Sequence, residues 1–296
     1  MAPGLAVEGI GKTFGSVRAV DDLSFAVRPG AVTGFLGPNG SGKTTTLRML
    51  LGLTRPSQGR ALVGDRPYVD RPVPASVVGA ALEASSFHPG RTGLAHLEVY
   101  AVQAGAGRAR CRELIEFVGL GAAANRRVGG YSMGMRQRLG LATALLADPP
   151  AIVLDEPANG LDPEGIVWMR GLLRSFADEG RTVLVSSHVL AEVQHTVDDV
   201  VIIVRGRLVH ASSLVGLGAL AEPETYVESP APERLATLCR DRAWSAQAEG
   251  AGMLVRDVSA AEIGATAYAA GIELHQLASR GAGLEDVFLR LTGEAR

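Results

Sequence analysis

Apolar and polar residues alternate along residues 5–10 (LAVEGI) and 17–30 (VRAVDDLSFAVRPG), the two-residue period of a half-buried strand, and Pro29-Gly30 supplies a turn after the second. A β-rich run at 31–37 (AVTGFLG) passes through glycines into 42–53 (GKTTTLRMLLGL). This predicts strand, glycine loop and helix, the helix stopping near Gly52 with Pro56 beyond. Residues 76–82 (SVVGAAL) predict another strand. From about 92 to 146 strand patterns vanish and helical ones follow one another, most plainly at 134–147 (GMRQRLGLATALLA). Residues 151–156 (AIVLDE) read as a short buried strand. Residues 162–180 predict a helix with Asp162 as N-cap, Pro163 at its first position and Gly180 at its end; Ile166, Met169, Leu172, Leu173 and Phe176 share one face. Strands at 182–187 and 199–210 follow. Strands alternating with helices indicate an α/β fold, here with a helical subdomain inserted at about 85–147.

After His210 the texture changes. Residues 211–223 are small, polar or proline-broken and read as a linker between a domain over 1–210 and a small C-terminal α/β domain over 224–296. In the latter, strands are expected near 224–228, 252–256 and 272–278, with helices at 231–240, 259–270 and 283–291. Leu284, Val287, Phe288 and Leu291 form a helical stripe that packs on its own domain. The 296 residues suffice for one large and one small core.

A formal net charge of -2 gives no electrostatic case for nucleic acid as a partner. Cys111 and Cys239 lie far apart with no CxxC pair, which reads as a reduced setting, and neither the cysteines nor the histidines have metal-ligand spacing. The longest apolar runs fall far short of the roughly 18–20 residues needed to span a bilayer. The first residues lack the basic start and apolar core of a signal peptide. A membrane role is therefore expected only through a partner.

Three stretches carry chemistry. Residues 37–44 (GPNGSGKT) fit GxxxxGK(S/T) after a strand and at the opening of a helix. In the stretch Gly37, Pro38, Asn39, Gly40, Ser41 and Gly42 the glycines let backbone amides turn inward around phosphates, Lys43 reaches the β- and γ-phosphates, and the hydroxyl of Thr44, followed by Thr45, suits Mg²⁺. At 151–157 (AIVLDEP) the strand ends in Asp155, a partner for Mg²⁺, and Glu156, placed to polarise a water toward the γ-phosphate. His188 closes 184–188 (LVSSH); a lone histidine at a strand end is ordinarily just packed or exposed, so its meaning depends on its company.

That company includes residues 131–138 (YSMGMRQR), and here the sequence resembles the ATP-binding subunit of an ABC transporter, with motifs in the family's order over about residues 5–210. Ser132 and Gly134 match the LSGGQ signature and Gln137 and Arg138 its continuation, while Tyr131, Met133 and Met135 depart from it. Residues 159–163 (NGLDP) resemble the D-loop with Asp162 as its acid, His188 resembles the switch histidine at the γ-phosphate, and Phe14 the aromatic that stacks on adenine. Glu83 stands where the family usually has glutamine, which is similar to the bacitracin- and lantibiotic-resistance branch; the resemblance gives it contact with Mg²⁺, the attacking water and the membrane partner. The tail at 284–294 resembles the end of ATPase subunits of small exporters.

The resemblance implies a P-loop NTPase core of ABC ATPase type that hydrolyses MgATP. It implies two copies closing over ATP, with the signature of one facing nucleotide held by the other. It also implies separately encoded transmembrane permease subunits, a place on the cytoplasmic face of the cell membrane, and efflux of a drug, antibiotic or peptide. An importer subunit is the nearest alternative. A soluble ABC ATPase of DNA repair or translation usually brings coiled coils, tandem domains or basic arms that this chain lacks, and a small-molecule kinase would not need the signature stretch.

Overall fold

The computed structural model describes residues 2–82, 87–221, 223–281 and 283–293, which form two units, Met1–Leu214 and Val215–Arg296. In the first, β1 (Leu5–Phe14) and β2 (Val17–Val27) make an antiparallel hairpin, β3 (Ala31–Leu36) leads to helix α1 (Lys43–Leu50), and β4 (Gln58–Val63) returns to pair with β1. Next come β5 (Val78–Ala81) and three helices, α2 (Gly93–Ala104), α3 (Arg108–Phe117) and α4 (Met133–Ala144). The unit closes with β6 (Ala151–Asp155), α5 (Pro163–Asp178), β7 (Thr182–Ser187), α6 (Leu190–Val193), β8 (Asp199–Val204) and β9 (Arg207–Ser213).

A three-stranded sheet has the order β2-β1-β4 and a six-stranded one β5-β6-β7-β3-β8-β9. In the larger sheet β5, β6, β7, β3 and β8 run parallel and only β9 is reversed. Every residue of β3, β6 and β7 is buried, as expected for parallel strands covered on both faces. Phe35 on β3 stacks on Phe25 at 5.0 Å within a core that also holds Leu47, Leu50, Val153, Leu184 and Ile203. Side-chain caps start the long helices: Thr92 accepts from Ala95 N, Ser132 from Met135 N and Asp162 from Gly165 N, each such cap contributing about 1 kcal/mol.

Several expectations are corrected. The apolar run at 199–210 is a hairpin rather than one strand: Arg205 (φ 49°) and Gly206 (φ 78°) reverse the chain with two successive positive φ angles, the requirement of a type I′ turn. Helix α1, by contrast, ends near Gly52 as expected: its last residue is Leu50, and Gly52 follows in a left-handed conformation (φ 67°). Strand β4 was not foreseen, because Gln58, Gly59 and Arg60 are exposed and only Ala61 and Val63 face the core.

The second unit has β10 (Pro223–Glu228), α8 (Pro232–Asp241), β11 (Ser245–Glu249), β12 (Gly252–Arg256), α9 (Ala260–Ala269) and β13 (Gln276–Gly281). This βαββαβ order forms an antiparallel sheet β11-β12-β10-β13, the split-βαβ arrangement. Its core joins Val227, Val255 and Val258 to Leu235 and Cys239 of α8 and Ile263 of α9. A last helix, α10 (Leu284–Thr292), buries Val287, Phe288 and Thr292. The strand expected at 272–278 lies at Gln276–Gly281, and β11, which has no alternating apolar pattern, was not foreseen. The stretch expected as linker begins within β9, and a short helix, α7 (Leu214–Gly218), follows directly.

Candidate nucleotide-binding and hydrolysis site

Strands β3, β7 and β6 are neighbours, and their carboxyl ends lie level: Leu36 pairs with Ser187, and Asp155 with Ser186. Parallel sheets bind ligands beyond these ends. The loop 37–42 leaves β3, Glu156 leaves β6 and His188 leaves β7, so three separate stretches of sequence converge at one edge.

Gly42 caps α1 at φ 103°, where a Cβ would stand 2.6 Å from the Ala19 carbonyl oxygen; a side chain here would push the loop away from β2. Lys43 is 6% exposed, and its ammonium donates to the carbonyls of Gly37 (2.6 Å) and Pro38 (3.3 Å). The loop thus folds over its own cation at the amino end of α1, where helix amides concentrate positive potential. Ser41 Oγ is buried and has no hydrogen-bond partner among the described residues. An orphaned donor, a buried ammonium and a helix terminus are a donor set for phosphate. Asn39 and Gly40 stand exposed at the tip of the loop, and Thr45 lies half-buried in the first turn of α1.

Asp155 is 6% exposed and accepts from Thr44 Oγ1 at 2.7 Å and from the Ser186 hydroxyl. Burial pushes its carboxyl above the usual range; the bonds from Ser186 and Thr44 oppose that shift, Glu156 adds to it and Lys43 opposes it. A carboxylate and a hydroxyl in contact are the hard oxygens that Mg²⁺ takes, so these two side chains fit that ion.

Glu156 has φ 49°, a left-handed conformation that costs a non-glycine residue about 1–3 kcal/mol and concentrates at functional sites. Its amide donates to Ser186 Oγ (2.9 Å) and its carbonyl accepts from Gln137 Nε2 (3.3 Å). The carboxylate lies between Lys43 Nζ at 3.5 Å and His188 Nδ1 at 2.9 Å. The backbone bonds fix where the carboxylate points, and Lys43 and His188 flank it.

A second group gathers at the amino end of α4. Ser132 is the N-cap, and a Cβ on Gly134 would stand 2.9 Å from the carbonyl oxygen of Gly160. Met133 packs its thioether over Gly160. Asp162, one turn on, spends its carboxylate capping α5 through Gly165 N at 2.8 Å. Residues 132–134 and 160–162 are therefore one packed surface, joined to the first group by Gln137. Tyr131 serves packing: it is buried, and its hydroxyl donates to the Ala123 carbonyl at 2.7 Å.

Phe14 lies at the end of β1, 52% exposed, with the Lys12 ammonium 5.1 Å from its ring centre. Glu83 lies outside the described residues. Sequence reasoning missed Ser186, which ties Asp155 to Glu156; its only signal is a hydroxyl inside a fully buried strand end. Among the described residues there is no metal-binding cluster of histidine, cysteine and acid, and no helix long and apolar enough to cross a membrane.

Residues 20–159 match the ABC transporter family, and residues 223–285 match a domain of unknown function. A bacitracin transport ATP-binding protein of Bacillus licheniformis is 42% identical over 67% of this chain and 65% of its own length. A Nod factor export ATP-binding protein of Ralstonia nicotianae is 35% identical over 98% of this chain and 94% of its own length. Among solved structures, an ATP-binding subunit of an ABC transporter superposes with a TM-score of 0.66 at 26% identity, covering 73% of this chain and 92% of that one.

Proposed function

Because the chain belongs to the ATP-binding subunits of ABC transporters, we propose that it is the ATPase of an exporter, driving efflux of an antibiotic, peptide or similar amphipathic compound through separately encoded membrane subunits. The observation that carries the catalytic half of this reading is the meeting of Lys43, Thr44, Asp155, Glu156 and His188 at the level ends of three adjacent parallel strands. Residues 37–45 bind the phosphates through loop amides and the Lys43 ammonium. Thr44 and Asp155 hold Mg²⁺, which when bound neutralises phosphate charge, and Glu83 is proposed as a further oxygen toward it. Glu156 orients and deprotonates the attacking water, and His188 fixes the Glu156 carboxylate and donates toward the γ-phosphate.

Ser132 and Gly134 belong to the other half of the reading. They present an amide-rich helix terminus that closes over nucleotide bound to a second copy, with Asp162 beside it, so hydrolysis requires the pair. The export direction and the cargo class rest on the names of the relatives, Nod factor export and bacitracin transport. The proposed location is peripheral, on the cytoplasmic face of a membrane, reached through the membrane subunits. Residues 1–210 are proposed as the motor and 224–296 as an accessory domain.

Glu156→Gln tests the catalytic assignment. The variant keeps ATP binding, hydrolyses about 10²–10⁴-fold more slowly, the scale for a lost general base, and accumulates an ATP-dependent dimer in size exclusion. Hydrolysis at the wild-type rate would refute the role of Glu156; a strictly monomeric variant beside a dimerising wild type would refute the closed pair.

A further inference from the structure

Lys12 is a half-buried cation on β1 that the catalytic scheme does not use. It pairs across the hairpin with Val20, whose side chain lies next to Gly42, at a point where the register of β1 shifts on both sides. Its ammonium donates to the Arg55 carbonyl at 2.7 Å and lies 5.1 Å from the Phe14 ring centre. The Arg55 carbonyl is itself held: Ser57 N donates to Gly11 O at 2.7 Å, and Thr13 N donates to Ser57 Oγ at 3.3 Å, fastening the turn before β4 to β1. A pinned ammonium therefore occupies one face of a ring that is otherwise 52% exposed.

We propose that Lys12 is a positioning residue for the purine base of the nucleotide, acting through Phe14. This rests on the reading of Phe14 as the base platform. An exposed phenylalanine rotates freely about its side-chain torsions, and a base that stacks on it must stop that rotation at a cost in affinity. Attraction between the ammonium and the ring face stops it beforehand. With one face held by the cation, the opposite face is the one left for a flat base. The cation also draws π-density toward itself, which makes the free face a better partner for an electron-rich purine. The contact is with a π-face, so it favours nucleotides over bare polyphosphate without distinguishing one purine from another.

Calorimetric titration of the full chain with MgATP and, separately, with magnesium tripolyphosphate separates the base from the phosphates. Lys12→Met is expected to weaken ATP about two- to fivefold, the range for one exposed cation–π contact, and to leave tripolyphosphate affinity unchanged. Lys12→Arg retains ATP affinity within about twofold, since guanidinium keeps the charge over the ring. On a Phe14→Ala background, Lys12→Met has no further effect. Equal weakening of both ligands would show Lys12 to be only a general attractor of anions, and an unchanged ATP affinity, or an effect that persists without Phe14, overturns the proposal as well. If Phe14→Ala itself leaves ATP affinity unchanged, the base platform falls; tripolyphosphate binding would still report on the loop.

Discussion

Replacing Ser186 with alanine removes one oxygen from the most constrained point of the site. The residue is fully buried on β7, and its hydroxyl donates to Asp155 while accepting from the amide of Glu156. A hydrogen bond to a charged group is worth about 1.5–3 kcal/mol, and a donor left unsatisfied away from water costs about 1–3 kcal/mol. The Glu156 amide is only partly buried, which places it at the low end, and the variant is spared the burial of the hydroxyl itself. The expected destabilisation is about 2–4 kcal/mol. At about 2–4 °C per kcal/mol for a unit of this size, the melting temperature falls by roughly 5–15 °C.

Activity should fall for a related reason. The left-handed conformation of Glu156 is held by Ser186 on one side and Gln137 on the other. With one bond gone the carboxylate samples other directions, and a misplacement worth about 1.4 kcal/mol lowers kcat about tenfold. Tripolyphosphate affinity stays close to wild type, because Lys43 and its loop are untouched. Urea unfolding, amide exchange at Glu156 and steady-state ATPase measurements together check this. Unfolding within about 0.5 kcal/mol of wild type and kcat within twofold would refute the idea that Ser186 carries both acids.

Two further outcomes follow from the same geometry. The Asp155 carboxyl is held above its ordinary range by burial, so its contribution to stability is fully present below the unfolded carboxylate pKa and is lost as pH rises through the folded one. Asp155→Asn should therefore raise the melting temperature of the nucleotide-free protein at neutral pH, with the gain vanishing near pH 4, about where an unfolded aspartate titrates. A variant less stable than wild type at neutral pH would contradict the sign. Ser132→Arg should abolish hydrolysis yet keep ATP affinity of the isolated subunit within a few-fold, since in the proposed pair the residue serves the opposite copy; full activity of the homodimer would refute that assignment.

The glycine loop between β3 and α1, the acids after β6, the N-cap at Asp162 and the helical subdomain were legible because each is a local pattern. A strand that is apolar throughout, a glycine loop and a helix start are recorded within about a dozen consecutive residues. Local period also revealed that the chain changes character after His210. It did not reveal β4 or β11, whose polar residues are held as strands by partners on β1 and β12. Nor did it reveal that Arg205-Gly206 folds an apolar run back on itself.

The arrangement of the site itself came only from tertiary contacts. Ser186 acquires its role from Asp155 and Glu156, which are 30 or more positions away in the chain, and Glu156 is held in its left-handed conformation by Ser186 and Gln137. Lys12 meets the Arg55 carbonyl because β4 returns alongside β1. Which groups are present, and which short elements carry them, depends on neighbours along the chain and is written in the residue order. Which carboxylate is buried, which backbone is held in a costly conformation and which cation lies over which ring depend on side chains brought together by strand order and register, and those were decided only when the sheets assembled.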